Sequence, residues 1–145
     1  MEDLLLDQNY VQTAPTDYAG FWIRFGAAFI DALLTTVVGL IIVYATGGNY
    51  EKQGLMANFL NIVLGWLYAA IMESSERQAT LGKIAVGIKV TDMQGNRISF
   101  GQATGRHFAK IISAIILLIG YIMAAFDDKK QALHDKMAGT LVLNK

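Results

Sequence analysis

The chain has 145 residues, no cysteine, and 12 acidic against 12 basic residues. Hydrophobic residues make up 54% of it and charged residues 17%, and the apolar residues lie in long blocks, which is typical of a one-domain integral membrane protein. The absence of cysteine excludes disulfides, thiolate catalysis and cysteine metal sites, and the zero net charge gives no electrostatic support for nucleic-acid binding.

Residues 1–19 are predicted to form a polar N-terminal tail ahead of a membrane domain over residues 20–145. The tail is acidic and has no basic region before an apolar stretch, so we do not expect a cleaved signal peptide. The first span must then act as its own targeting element.

The first apolar run predicts a membrane helix over about residues 21–45. About 20 apolar residues at 1.5 Å rise per residue cross a hydrocarbon core of roughly 30 Å. The run contains Arg24 and Asp31, and a carboxylate there costs about 2.5–3.5 kcal/mol on insertion scales, so it needs a partner or a purpose. The two residues share a helical face about 10 Å apart, which is too far for contact, so both are expected to meet other segments.

A second span is predicted over about residues 55–72, with Asn58 and Asn61 on one helical stripe that continues to Tyr68. Small and amide residues on one stripe are the usual means by which a membrane helix packs on a neighbour. We expect this stripe to face the first helix. The amides then either hydrogen-bond between the helices or line a polar cavity near Asp31.

The polar residues 73–103 are predicted to lie outside the membrane. Apolar and polar residues alternate at 88–91 and 97–100 around a glycine-containing turn, which predicts a short β-hairpin. Ser99 and Gln102 have the spacing of a capping box, so a helix should begin near Phe100 or Gly101.

The third apolar block covers about residues 104–126 and is predicted either to cross the membrane or to be re-entrant or broken near Gly120. The tail, residues 127–145, ends in a predicted strand at 140–143. Basic residues concentrate between spans two and three, which places that segment and the N-terminus in the cytoplasm. The lysines of the tail favour the cytoplasmic side for the tail as well. Pairing of residues 140–143 with 88–91 would also put the tail there. Both arrangements require the third apolar block to turn back instead of crossing the membrane.

Three stretches of the chain together resemble the RDD family, small bacterial membrane proteins named for one arginine and two aspartates. The stretches are GFWIRFGAAFIDALL (20–34), QATLGKIAVGIKVTDMQGNRISFGQATGRHFAK (78–110) and QALHDKMAGTLVL (131–143). By resemblance, Arg24 and Asp31 match the family's arginine and first aspartate, and Asp135 is the best candidate for the second. Some members of the family have been proposed as cation/proton antiporters, so the resemblance implies transport.

The fold expected from these patterns is an all-α membrane protein of three apolar helical segments with a small cytoplasmic β element. A membrane carboxylate whose pKa is raised by burial and lowered by a nearby cation could exchange a proton for a metal cation. The alternative is a structural ion pair or hydrogen bond that fixes helix packing. The candidate ion or proton site comprises Asp31, Arg24, Asn58, Asn61 and Thr35, with Arg106, Lys110, His134 and Asp135 in support.

Two functional hypotheses follow. In the first, the protein is a multi-pass cell-membrane transporter, such as a cation/proton exchanger using Asp31, that binds monovalent cations or protons. It is expected to form a homo-oligomer, because one copy has few helices to enclose a pathway. In the second, it is a non-catalytic membrane scaffold or assembly partner in which Arg24, Asp31 and Asp135 are structural. We expect no enzymatic activity, cofactor or resident metal, since the chain has no nucleophile–base or metal-ligand constellation.

Overall fold

The computed structural model describes residues 17–45, 47–48, 54–116 and 119–145. Most of the predicted N-terminal tail therefore lies outside the described residues. The elements in chain order are helix α1 (Phe21–Ala45), helix α2 (Leu55–Ser74), helix α3 (Leu81–Ala85), strand β1 (Ile88–Asp92), helix α4 (Phe100–Ile115), helix α5 (Ile119–Phe126), helix α6 (Leu133–Ala138) and strand β2 (Thr140–Asn144). The protein is thus mainly helical with one small sheet, as its sequence predicts.

Helix α1 is long and apolar enough to cross a membrane, with a mean hydropathy of 2.2. Within the described part of the chain it is the one helix that meets both criteria. Only 6% of its most apolar stretch is buried against the rest of the protein, and large side chains such as Phe29, Val37 and Ile41 are exposed. An exposed apolar surface of this length is unfavourable in water and suits the hydrocarbon core of a bilayer.

Helix α2 coincides with the second predicted span and packs on α4 rather than lengthwise on α1. Trp66 of α2 donates from Nε1 to Thr104 Oγ1 at 3.2 Å, and its ring lies against Phe100 and Phe108. Helix α1 instead contacts the short helix α3 and α5. The predicted stripe of α2 therefore meets α1 at Tyr68, which donates to Asp31, whereas Asn58 and Asn61 are exposed and do not face α1.

The third apolar block is broken into α4 and α5, which was one of the predicted alternatives. The predicted capping box begins α4, since Ser99 Oγ accepts from Gln102 N and Gln102 Oε1 accepts from Ser99 N, both at 3.1 Å. Helix α4 buries one stripe that includes Arg106 and Ser113. Helix α5 contacts α4, α6 and α1, so it lies against helices that precede and follow it in the chain.

The predicted hairpin of residues 88–91 with 97–100 does not form. Strand β1 pairs antiparallel with β2, with Val90 opposite Val142. Residues 92–96 do turn, closed by Asp92 N donating to Asn96 O at 2.9 Å, but Ile98 then enters the core and Ser99 caps α4. Residues 97–100 therefore contribute to the core and to the start of α4 instead of forming a second hairpin strand.

The residues just before α1 join the same sheet. Tyr18 forms a bridge with Leu143, and Ala19 N donates to Val142 O at 2.8 Å. The start of α1 therefore lies beside the sheet formed by β1, which follows α2, and β2. Their apolar side chains form a core cluster that includes Ala19, Ile88 and Val142.

Candidate functional site

Six ionisable side chains meet where α1, α2, α3, α4 and α6 converge. We call them the charge cluster: Arg24, Glu73, Lys83, Arg106, Lys110 and Asp135. Arg106 lies at its centre and is only 2% exposed. Its Nη1 donates to Glu73 Oε2 at 2.8 Å and its Nε to Asp135 Oδ1 at 2.9 Å. One guanidinium thus joins a carboxylate of α2 to a carboxylate of α6.

Asp135 is fully buried and is held by two arginines. Arg24 Nη1 of α1 donates to its Oδ2, which also accepts from Ala132 N at the start of α6. Burial would raise the pKa of Asp135, but Arg106 and Arg24 outweigh burial and hold that pKa well below its usual value. The carboxylate therefore stays charged and ties three helices together.

Glu73 and Lys83 form the second half of the charge cluster, and sequence reasoning missed both as site residues. Lys83 Nζ donates to Glu73 Oε1, and Lys110 Nζ lies 3.6 Å from the same oxygen. Burial lowers the pKa of Lys83 to about 7, although Glu73 works against that change. The available signal was position: Glu73 is a lone carboxylate at the end of an apolar run, and was assigned instead to the extramembrane segment.

Asp31 does not join the charge cluster but binds the start of α3. Its Oδ1 accepts from Gly82 N at 2.8 Å and from Tyr68 Oη at 3.1 Å, and its Oδ2 accepts from Thr80 Oγ1 at 2.5 Å. A carboxylate at a helix start satisfies backbone N–H groups that have no partner within the helix. Asp31 therefore acts as a cap supplied from another helix, and it holds the segment that carries Lys83.

The approach of α1 to α3 leaves no room for a side chain at position 82. A Cβ on Gly82 would lie 2.1 Å from Ala27 O and 2.8 Å from the carboxyl carbon of Asp31. The glycine is thus required by close backbone contact.

Several predicted partners of Asp31 lie elsewhere. Asn58 and Asn61 are exposed on α2, two or more turns beyond Tyr68, which is the member of their stripe that reaches Asp31. Thr35 is exposed and donates to the backbone of its own helix, to Asp31 O at 2.9 Å and Ala32 O at 3.1 Å. Arg106 and Lys110 bind other carboxylates. The structure thus brings together Arg24, Arg106, Lys110, His134 and Asp135, but not Asp31 with its expected amides.

His134 lies beside Asp135, with Nε2 3.5 Å from Oδ1, and packs 5.0 Å from the Tyr121 ring. Burial lowers the pKa of His134 to about 3, so the imidazole is neutral at physiological pH. It therefore adds no charge to the site. Among the described residues, no group of three or more His, Asp or Glu side chains is placed to hold a metal ion.

A cavity of about 620 Å³ adjoins the charge cluster and reaches Asp31. Its polar wall includes Arg24, Glu73, Lys83, Arg106 and Lys110. The rest of the lining is largely apolar and includes residues of α1 and α5 such as Phe21, Phe25, Ala28 and Ile122. A pocket of this size, mostly apolar with a few converging charges, has the character of a ligand site.

Comparison with known proteins gives a consistent set of relatives. The sequence model of the RDD family matches residues 18–139. The uncharacterized protein YxaI of Bacillus subtilis is 40% identical over 88% of this chain and 97% of its own length. The uncharacterized membrane protein YteJ of the same organism is 31% identical over 88% and 81% of the two chains, and the proline-rich antigen homolog of Mycobacterium tuberculosis is 30% identical over 90% and 65%. No solved structure matches.

Proposed function

The chain belongs to the RDD family, and from that premise we propose that it is a membrane transport protein whose charge cluster and cavity carry a solute together with a proton. Its membrane location is supported by the relative YteJ, which is described as a membrane protein, and by the exposed apolar surface of α1. The observation that carries the proposal is a cavity among apolar helices that opens onto buried charges.

Buried charge is costly, and this favours a role beyond packing. Replacing a buried ion pair by apolar residues of similar volume is often neutral or stabilising, so ion pairs alone are a poor way to hold helices together. Ionisable residues within a membrane protein usually mark an ion, proton or substrate pathway. Here Glu73, Lys83 and Arg106 all line the cavity, where a solute would contact them.

Lys83 is the group best placed to carry the proton. Its pKa of about 7 lets it gain or lose a proton near neutral pH, and each change alters the charge of the cavity wall by one. Glu73 can then exchange its contact with Lys83 for one with Lys110, whose Nζ already lies 3.6 Å away. In this proposal Asp31 serves as a positioning residue, because it caps the helix that holds Lys83.

Cation exchange at Asp31 itself is less well supported. Both of its oxygens already accept hydrogen bonds, and a hard cation needs several further oxygen ligands that the predicted amides do not supply here. Association of several copies stays part of the proposal. So does a multi-pass cell-membrane location with the N-terminus in the cytoplasm. We propose no enzymatic step.

A second candidate, a membrane scaffold, is favoured by one observation. Every carboxylate oxygen of Asp31, Glu73 and Asp135 has a hydrogen-bonding or ionic partner within the described residues. Full satisfaction of the carboxylates is what a purely structural tie requires. In this alternative, Arg24, Asp31 and Asp135 only join helices, and the protein acts by binding partners through its surface.

Proton flux in liposomes separates the two candidates. We would reconstitute the wild type with a trapped pH dye and impose gradients of Na⁺, K⁺ and small organic anions in turn. Transport predicts flux with at least one gradient, loss of coupling in Lys83→Met, and no effect of Lys129→Met, which removes an exposed lysine outside the cavity. Absence of wild-type flux under every gradient, in protein shown by chromatography to be folded, would favour the scaffold.

A further inference from the structure

We propose that the cavity binds a small organic monoanion, an acidic group on an apolar body, with the acidic group at the basic wall and the body against α1 and α5. The inference names the substrate class of the transporter proposed above and rests on that function for its biological meaning. Binding itself can be measured without transport.

The charges around the cavity favour an anion. Among the described side chains, four basic residues line the cavity, Arg24, Lys83, Arg106 and Lys110, and two carboxylates line it, Asp31 and Glu73. The basic residues of the lining therefore exceed its carboxylates by two, and by one when Lys83 has lost its proton. A cation would add to this excess, whereas one negative charge reduces it.

Two donors at the basic wall are available to an acidic group. Arg24 lines the cavity, and its Nη2 is buried without a hydrogen-bond partner, although Nη1 and Nε are both engaged. Lys110 also lines the cavity, and its Nζ lies 3.6 Å from Glu73, beyond a normal hydrogen bond. A buried donor without an acceptor is unfavourable, so an acceptor supplied by a ligand would be stabilising.

The apolar wall accounts for the rest of the ligand. Phe21 and Phe25 stack with ring centroids 6.3 Å apart, and Ala28 and Ile122 extend the surface along α1 and α5. Small side chains at Ala28 and Ala32 leave the space open. A volume of about 620 Å³ holds an aromatic or short aliphatic body with room to spare.

Calorimetry with naphthalene-2-sulfonate tests the inference on the full chain in phosphatidylcholine nanodiscs. We expect saturable binding above that of empty discs, and none for the naphthylmethylammonium cation, which has the same ring and the opposite charge. Lys110→Gln should weaken binding about tenfold, as expected for the loss of one charged contact, while Lys129→Gln should leave it unchanged. Ala28→Phe should abolish binding by filling the cavity.

Equal binding of the cation, or unchanged affinity in Lys110→Gln, would overturn the inference. Discs containing phosphatidylglycerol distinguish two sources of the same chemistry: competition with the sulfonate identifies a lipid headgroup as occupant, and unchanged affinity identifies a soluble anion. Sulfonate binding without proton flux in liposomes would remove transport and leave the anion site. Flux without sulfonate binding would remove the anion site and leave transport.

Discussion

Arg24 and Asp135 are 111 positions apart in the sequence and form an ion pair in the core of the protein. Arg24 is near the start of α1, and Asp135 is in the first turn of the short helix α6. By resemblance to the RDD family, these are the family's arginine and its second aspartate. The pair therefore gives these two residues a shared structural role, because it joins α1 to α6.

Breaking this pair should be strongly destabilising. Arg24→Gln leaves Asp135 with Arg106 alone in a fully buried position, and truncating one partner of a buried pair costs about 3–5 kcal/mol. Thermal unfolding in detergent micelles should show the loss. Lys136→Gln, which breaks the more exposed pair with Asp127, should cost less than about 1 kcal/mol and serves as the control. Equal effects of the two variants would contradict the assignment.

Gly82→Ala should separate α1 from α3. The added Cβ would overlap Ala27 O at 2.1 Å, so the backbones must move apart and the hydrogen bond from Gly82 N to Asp31 must lengthen. We expect a lower unfolding temperature and faster proteolysis of the segment around residue 82. Gly105→Ala is the matched control, because a Cβ there meets nothing within 4 Å and alanine favours the helix interior.

The sequence predicts the long helices and four of the six members of the charge cluster, but it misplaces most of their contacts. Apolar runs and the Ser99 box predicted α1, α2 and the start of α4, because those features are local. The pairing of β1 with β2 could be named from the sequence but not chosen over the hairpin, because it is long-range and periodicity carries no information on it. The same holds for the partners of Asp31, which could not be identified. Glu73 escaped notice because one carboxylate at the end of an apolar run does not reveal that three cations surround it.

Because Lys83 is buried, the free energy of unfolding should depend on pH between about 7 and 10.5. The pKa of Lys83 falls from 10.5 to about 7 on folding, so between these values the unfolded chain binds more protons than the folded protein. The free energy of unfolding should therefore rise as pH increases from about 7 to about 10.5, by an amount on the order of a few kcal/mol. The cost of the buried charge is fully present below pH 7.

Comparison of variants isolates this effect from other groups that titrate at high pH. Lys83→Met should lose the rise relative to wild type, whereas Lys129→Met should retain it. Urea or thermal unfolding in micelles at several pH values between 7 and 10.5 gives the comparison. Parallel profiles for wild type and Lys83→Met would show that Lys83 keeps an ordinary affinity for its proton.

The sheet predicts the membrane topology. Because β1 follows α2 and pairs with β2 at the chain end, the segment around residue 94 and residue 145 must lie on one side of the bilayer, and α4 with α5 must make no net crossing. By the positive-inside rule, the basic residues between α2 and α4 predict that this side is the cytoplasm. The chain has no native cysteine, so Gly48→Cys, Gln94→Cys and Lys145→Cys each give one labelling site.

An impermeant maleimide on intact cells should label position 48 alone, with positions 94 and 145 reacting only after permeabilisation. Labelling of 48 and 145 from outside with 94 protected would mean that the third apolar block crosses the membrane, and the β1–β2 pairing could not then exist in the cell.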